Sequence, residues 1–588
     1  MQKIERYMPY LLALCFLAIS VYLLQEIQRF VFFDREQQQI LAWDWDLIWE
    51  RYSGVGGVAL FKAHYVTQLF YMPWAGPVIT AILATIASLC LWVSLKPMSV
   101  HRWIYPLCFV PYVFELSNLN DANYHYWGFM CLVILSMFMA IYGKWVSKLS
   151  LYLRLGITLA MTLLLFWKAA PMCLLFAVYV ILFDAFMGKD KWFYQVSSLV
   201  LAALAIFYAV RWCWLPSNSK AFTQDLFYNY LLPIPDSCKY SWLSLLSIPV
   251  LYGVSAKMKE PVLKTRLAFC LILAIGVGAL GYAQSEKNKR EVDILLELQH
   301  HVVAEEWDAI LRNPYVHSKN YLVMNYVNLA LSKKGMILSY FFNYEQLDPQ
   351  NIMVFHEFDD NQAQLTFIYA HVNYQMGDMG GAQNHAHDTF VLTHYGNPNM
   401  LQMLIKTNLI KGAYEVADKY ITLLEKSWHY RQWAKDMRKF LYNDDAIMAD
   451  ADLGRMRKSL PVDDTFTLDP EVCLYKTLET NPHDTIARDY MIAYLYIYRD
   501  QDDINRFVET FYQTPVLNPF PQQLQEAFLL VNDYNLDYCR EHGVSEENIE
   551  RYKKFMMDLD GAERRGIHPA QALRKEYGNT TWYNFMFK

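Results

Sequence analysis

The amino-acid sequence predicts an all-α protein in two parts, a polytopic transmembrane helix bundle of about nine spans followed by an α-solenoid. Three observations carry this. About nine apolar stretches fill residues 8 to 284, the gaps between them are basic in every second position, and the polar remainder repeats with an offset of 35 residues. Composition fits a join of two unlike halves. At 588 residues, 54% hydrophobic and 19% charged is too apolar for an ordinary soluble protein, while a mean hydropathy of only +0.07 means that the apolar excess is concentrated in part of the chain.

Crossing about 30 Å of hydrocarbon takes roughly 20 helical residues. Spans are expected at 8 to 33, 72 to 95, 103 to 117, 126 to 142, 151 to 167, 171 to 187, 193 to 215, 242 to 256 and 267 to 284, so that a bundle over 1 to 284 precedes a soluble domain over 285 to 588. The third span holds Pro106 and Pro111, and the eighth holds Pro249. Proline kinks a helix and frees backbone groups that only neighbouring protein can satisfy, which puts these two spans inside the bundle. The first apolar run passes into Gln25, Glu26, Gln28 and Arg29 without a small-x-small cleavage site, so it is expected to remain as a span.

Orientation follows from the cations, because short basic loops stay on the cytoplasmic side. One set of gaps holds 13 Lys and Arg, from Lys3 and Arg6 to Lys264 and Arg266; the alternate set holds six, Arg35, Arg51, Lys62, Lys168, Lys220 and Lys239. The N-terminus is therefore expected inside, and an odd number of spans sends the tail out. The ten cysteines are dispersed without a CxxC pair, which excludes a thiolate metal site; Cys473 and Cys539 are the tail pair that an oxidising compartment would allow.

Residues 364 to 395 and 399 to 430 each read as an amphipathic helix, a Gly turn and a second helix, with Gly377 aligned to Gly412 and Ala382 to Ala417. This resembles the tetratricopeptide repeat, with its period of about 34, Gly at the turn and Ala where paired helices cross. Weaker copies lie at 297 to 314 (Trp307), 325 to 342 (Gly335) and 484 to 515, where Asp500 to Asp503 replace the turn Gly. About five stacked helix pairs are expected, none able to bury its apolar face alone.

Four strings in fixed order, LFYMPWAGPV (69 to 78), NDANYHYWG (120 to 128), NYVNLAL and LIKGAYEVADKYITLLEK, make nearly the whole chain similar to an uncharacterised family of bacterial multipass inner-membrane proteins with a C-terminal helical-repeat region. The resemblance implies an inner-membrane location with a periplasmic C-terminal domain. It implies no activity.

Candidate chemistry lies on the expected outer side. Asp44, Asp46 and Glu50 sit among aromatics in the loop 34 to 71, and Asp121 and His125 at the mouth of the fourth span. Lys62, Lys168 and Arg211 are the cations that would contact a phosphate. One acid acting as general base, with these cations or a divalent cation steadying the leaving phosphate, would suit transfer from a lipid-linked sugar. The arrangement is similar to glycosyltransferases that use polyprenyl-phosphate sugars, although the spans are fewer. The competing expectation is an interfacial amphipathic helix at 42 to 52 with its tryptophans at headgroup level. Asp184 is the acid expected near the inner end of its span.

His356, His371, His385, His387 and His394 lack metal-ligand spacing and read as solvated repeat surface. No resident metal or cofactor is expected. A net charge of −6 and the absence of a phosphate loop after Ser53 exclude nucleic acid and nucleotides. Two functions follow: a membrane-anchored binding or assembly protein whose repeat domain holds an envelope protein or peptide, or a membrane glycosyltransferase.

Overall fold

The structure, a computed structural model, describes residues 2 to 588 apart from 99 to 101, 188 to 192, 212 to 223, 230 to 231, 258 to 262, 288 to 290, 347, 353 to 362, 394 to 395 and 462 to 468. Its named elements are all helical, with one isolated antiparallel bridge between Tyr124 and Tyr228 among the described residues. The chain forms two compact units: Met1–Asp293 with Lys426–His429, and Ile294–Glu425 with Tyr430–Lys588.

The first unit contains α1 (Gln2–Gln38), α2 (Trp45–Tyr52), α3 (Gly57–Thr67), α4 (Ala75–Leu95), α5 (Val110–Asn118), α6 (Tyr126–Lys144), α7 (Leu151–Ala169), α8 (Met172–Phe186), α9 (Tyr194–Arg211), α10 (Tyr240–Ser255) and α11 (Leu263–Lys287). Among the described residues four helices, Tyr7–Gln38, Ala75–Leu95, Tyr126–Lys148 and Leu151–Ala169, are long and apolar enough to cross a membrane; Met172–Phe186 and Tyr194–Ala209 are shorter apolar helices. Large apolar side chains stand exposed in rows, such as Leu201, Leu204 and Phe207 on α9 and Leu271, Ile272 and Ile275 on α11. Rows of that kind suit contact with lipid.

The proline-rich third span is not one straight helix. A 3-10 helix, Arg102–Phe109, contains Pro106, and α5 starts afresh with Pro111 in its first turn, where the missing N–H costs no helical hydrogen bond. The first helix departs from expectation at its other end. It continues past residue 33 to Gln38 and buries Arg35, which the sequence reading assigned to a loop.

The core of this unit is built on α4 and α6. Ala81, Ala84, Ala87 and Leu91 recur at helical spacing and are fully buried, as are Phe129, Leu132, Leu135 and Met139 opposite. Small residues bring the two backbones close, Thr80 Oγ1 of α4 bonds Tyr126 OH of α6 at 2.9 Å, and Tyr112 of α5 bridges the pair, its OH donating to Ala87 O of α4 at 3.0 Å and lying 2.5 Å from Ser136 Oγ of α6.

In the second unit, helices Ala363–Met376 and Met379–Leu392 pack as a hairpin turned at Gly377 (φ +94°), and Pro398–Lys411 with Tyr414–Glu425 as another turned at Gly412 (φ +77°). Both glycines occupy the left-handed region, which a side chain would strain. Ala382 and Ala417 are fully buried. Where Asp500 was read in place of a turn glycine, Arg499 takes φ +53° and Asp500 caps Gln501–Phe511 through the Asp502 and Asp503 amides.

Gly143→Ala is expected to destabilise the first unit by roughly 1–3 kcal/mol through overpacking, since its Cβ would lie 2.1 Å from the Ser94 carbonyl oxygen on α4. Gly156→Ala, whose Cβ meets nothing within 4 Å, is the matched control. Thermal melts of both variants in detergent check this; equal midpoints would mean that α4 and α6 do not pack here.

Candidate functional site

Polar side chains concentrate where the last turns of α1 meet the turn between α5 and α6. The sequence LNDANYH (119 to 125) cannot continue the helix smoothly, because Asn and Asp side chains compete for backbone amides. Asp121 does so: its Oδ1 accepts from Asn123 N at 3.0 Å and from Asn123 Nδ2 at 3.2 Å, while Oδ2 accepts from Tyr228 OH at 2.9 Å. Residues 227 to 229 run alongside, with His125 N donating to Phe227 O at 2.8 Å and Asn229 N to Asn123 O at 3.0 Å.

Into this turn α1 inserts Arg35, 3% exposed. Its Nη2 donates to Leu119 O at 2.6 Å and to Asp121 O at 3.3 Å, and its guanidinium lies 5.9 Å from the Tyr126 ring centroid. Nε and Nη1 have no partner among the described residues. Asp34, Glu36, Glu115 and Asp121 are buried as well; Glu115 accepts from Tyr124 OH at 2.8 Å, and Asp34 from Gln38 Nε2 at 2.8 Å. Ionisable groups inside an apolar helix bundle are expensive and mark functional candidates.

A second buried pair joins α7 to α8. Arg154 Nε lies 3.3 Å from Asp184 Oδ2, with side chains 5% and 0% exposed. Gln195 Nε2 on α9 donates to the same Oδ2 at 3.1 Å and to Tyr142 OH of α6 at 3.2 Å. Four helices thus share one polar centre.

The residues singled out from sequence fall into separate surroundings. Asp44 caps α2, accepting from Asp46 N at 3.0 Å and Leu47 N at 3.3 Å, and Lys426 Nζ at 2.7 Å holds its carboxyl below the usual range, with the cap bonds acting in the same direction. Asp46 and Glu50 are exposed on α2 beside Trp45, 82% exposed, and Trp49. Lys62 is exposed on α3, and Lys168 ends α7 with Nζ 5.4 Å from the Trp167 ring. His125 precedes α6, so it shares no helical face with Asp121. Arg211 ends α9, and its side chain lies outside the described residues.

The second unit carries a half-buried polar face that sequence reasoning missed. Tyr374 OH and Lys406 Nζ both donate to Asp452 Oδ2, at 2.9 and 3.0 Å. Burial alone would raise the Asp452 carboxyl; Lys406, Lys333 and the Tyr374 hydroxyl outweigh it and hold it below the usual range. Arg455 sits beside them, its Nη1 shared between the two Asp484 oxygens at 3.2 and 3.1 Å and its Nη2 donating to Gln375 O at 3.2 Å. His371 Nε2 lies 2.9 Å from Asn399 Oδ1. Burial pulls its pKa down to about 4, with Lys333 and Lys406 adding to the effect.

The histidines were expected on a solvated surface, and two are not. His385 is buried against Tyr369, and His371 belongs to the face just described, because each occupies the inner side of its helix; His387 alone is exposed. His356 and His394 lie outside the described residues. Elsewhere His300, His301 and Glu306 bring ligand-type atoms within 4.8 Å of one another, but His301 Nδ1 already bonds Glu306 at 2.8 Å.

The model of a family of unknown function (DUF6057) matches residues 3–588. The chain belongs to that family. No curated protein and no solved structure matches the chain. The two buried clusters of the first unit and the cationic face of the second are therefore read from their own chemistry.

Asp184→Asn strips Arg154 of its counter-charge inside the bundle, and loss of one partner of a buried pair costs about 3–5 kcal/mol. The variant is expected to aggregate or to melt well below the parent in detergent, whereas Arg154→Met with Asp184→Leu is expected to recover most of the loss. A single variant as stable as the parent would mean that the pair holds nothing together.

The second unit is also expected to lose stability in acid. His371 titrates at about 4 in the folded chain against 6.5 unfolded, so the unfolded state takes up the proton first and stability falls as pH drops from about 6.5 towards 4. His371→Gln should flatten that part of the pH profile in thermal melts of the full chain. An unchanged slope would remove His371 as its source.

Proposed function

We propose that this protein is a membrane-anchored binding or assembly protein, held in a bacterial inner membrane by about nine spans. In this reading the N-terminus is cytoplasmic and the second unit is a periplasmic, tetratricopeptide-like solenoid that holds an acidic segment of an envelope protein. One observation carries the reading: Lys333, Lys406 and Arg455 gather around Asp452 and the Tyr374 hydroxyl on one half-buried face. Asp484 pairs with Arg455 and is fully buried, which leaves Lys333 and Lys406 facing Asp452 on the accessible part of the face. Such a face steers and selects acidic partners. The helix pairs that carry it have the Gly turns and buried Ala crossings of repeat hairpins.

The glycosyltransferase reading has no comparable support. Asp44 is engaged as a helix cap with a lysine on its second oxygen, and Asp121 is engaged by Tyr228 and its own turn.

A photo-crosslinking amino acid at Asn399 in intact cells is expected to give a discrete adduct whose protein can be identified by mass spectrometry. Lys406→Glu should weaken that adduct about tenfold, the order lost with one close charge pair, and a compensating acid-to-lysine change in the identified partner should restore it. An adduct indifferent to Lys406→Glu would refute the binding face, and a cytoplasmic partner would refute the periplasmic placement.

A further inference from the structure

The first unit carries a slot that none of the interactions above uses. α1 lines it with one continuous stripe from Leu12 to Gln28, facing Val113 and Ser117 of α5 and Ala274 and Gly278 of α11, and its enclosed part measures about 100 Å³. The stripe covers about 24 Å of helix at 1.5 Å per residue, most of the roughly 30 Å of a hydrocarbon core. Apart from Ser20, the walls are apolar until the Gln28 end. There Gln28 gives Nε2 to Leu116 O at 3.0 Å, and its Oε1 is left without a partner, as is Ser117 Oγ. Both side chains are more than nine-tenths buried, at 4% and 5% exposure.

Three properties identify the occupant. α1 is long and apolar enough to cross a membrane, so at this depth the surrounding medium is lipid chain. Water needs two to four polar partners, which the slot supplies only at one end. At that end Gln28 Oε1 can only accept, and Ser117 Oγ has lone pairs to offer, so a head bearing N–H or O–H donors is favoured.

We propose that the slot between α1, α5 and α11 holds one hydrocarbon chain of a bilayer lipid, with a donor-bearing head bonded to Gln28 Oε1 and Ser117 Oγ. This rests on the membrane reading of the first unit and is independent of the partner reading of the second. Phosphatidylethanolamine has the ammonium N–H donors that the site requires; phosphatidylcholine has none.

The full-length chain, reconstituted in nanodiscs of equal phosphatidylethanolamine and phosphatidylcholine and released for native mass spectrometry, is expected to retain one lipid. The retained lipid should be enriched in phosphatidylethanolamine by about fivefold, the order of one hydrogen bond. Gly278→Leu fills the slot, and because a Cβ there meets nothing within 4 Å the variant should fold and lose the adduct. Gly276→Leu, equally open and outside the slot, should keep it. Gln28→Met with Ser117→Ala should keep the adduct and lose the enrichment. A parent chain without a retained lipid, an adduct that survives Gly278→Leu, or an enrichment that survives Gln28→Met with Ser117→Ala would each overturn the proposal.

Discussion

The first unit depends on how a guanidinium is held inside an apolar bundle. Arg35 cannot be buried without acceptors, since the effective cost of desolvating such a charge is several kcal/mol. It finds them in backbone carbonyls where the chain leaves the helix at 119: Leu119 O, and Asp121 O, which also accepts from Tyr124 N at 3.0 Å. The turn between α5 and α6 therefore does two things at once. It ends a helix, and its carbonyls become the socket for the end of α1. Gln28 repeats the device two turns earlier with Leu116 O. Helix α1 is thus fixed in rotation and depth by the side-chain-to-backbone bonds of Gln28 and Arg35, and its apolar stripe is aimed accordingly.

That arrangement explains which parts of the fold were legible. Helices α4, α6 and α7 declare themselves by unbroken apolar length, and Pro106 and Pro111 foretold a break that the structure has. The end of α1 was misread because Asp34-Arg35-Glu36-Gln37 looks like an exit from the membrane. Local polarity measures the chemistry of a residue; burial depends on partners 84 to 86 positions away, which local sequence does not display. Asp44 illustrates the opposite confusion. An acid just before an amphipathic run is the ordinary sign of an N-cap, and Asp44 is the cap of α2 despite its aromatic setting.

The second unit was legible at its turns and opaque on its face. Glycine at a fixed offset predicts a left-handed residue wherever it falls, and Gly377 and Gly412 both adopt one. The face joins Tyr374, Lys406 and the Asp452–Arg455 turn from three helices. No spacing rule links them, because the first and last lie 81 positions apart. His371 was read as solvated for the same reason: one helix alone does not tell which of its sides a neighbour will cover.

The two buried clusters of the first unit differ in kind. Arg154 and Asp184 balance one charge with one charge, and Gln195 ties the pair to Tyr142. Interhelical polar bonds of this sort hold a bundle together with no ligand required. Around Arg35 the described residues include four buried carboxylates, Asp34, Glu36, Glu115 and Asp121, for one guanidinium with two nitrogens unengaged. A structural role alone would be served better by fewer charges, since burial of each adds desolvation that geometry must offset. The balanced pair explains why the bundle holds together, and the unbalanced cluster, at the end of α1 beyond Gln28, is where selection for a function is easier to understand than selection for stability.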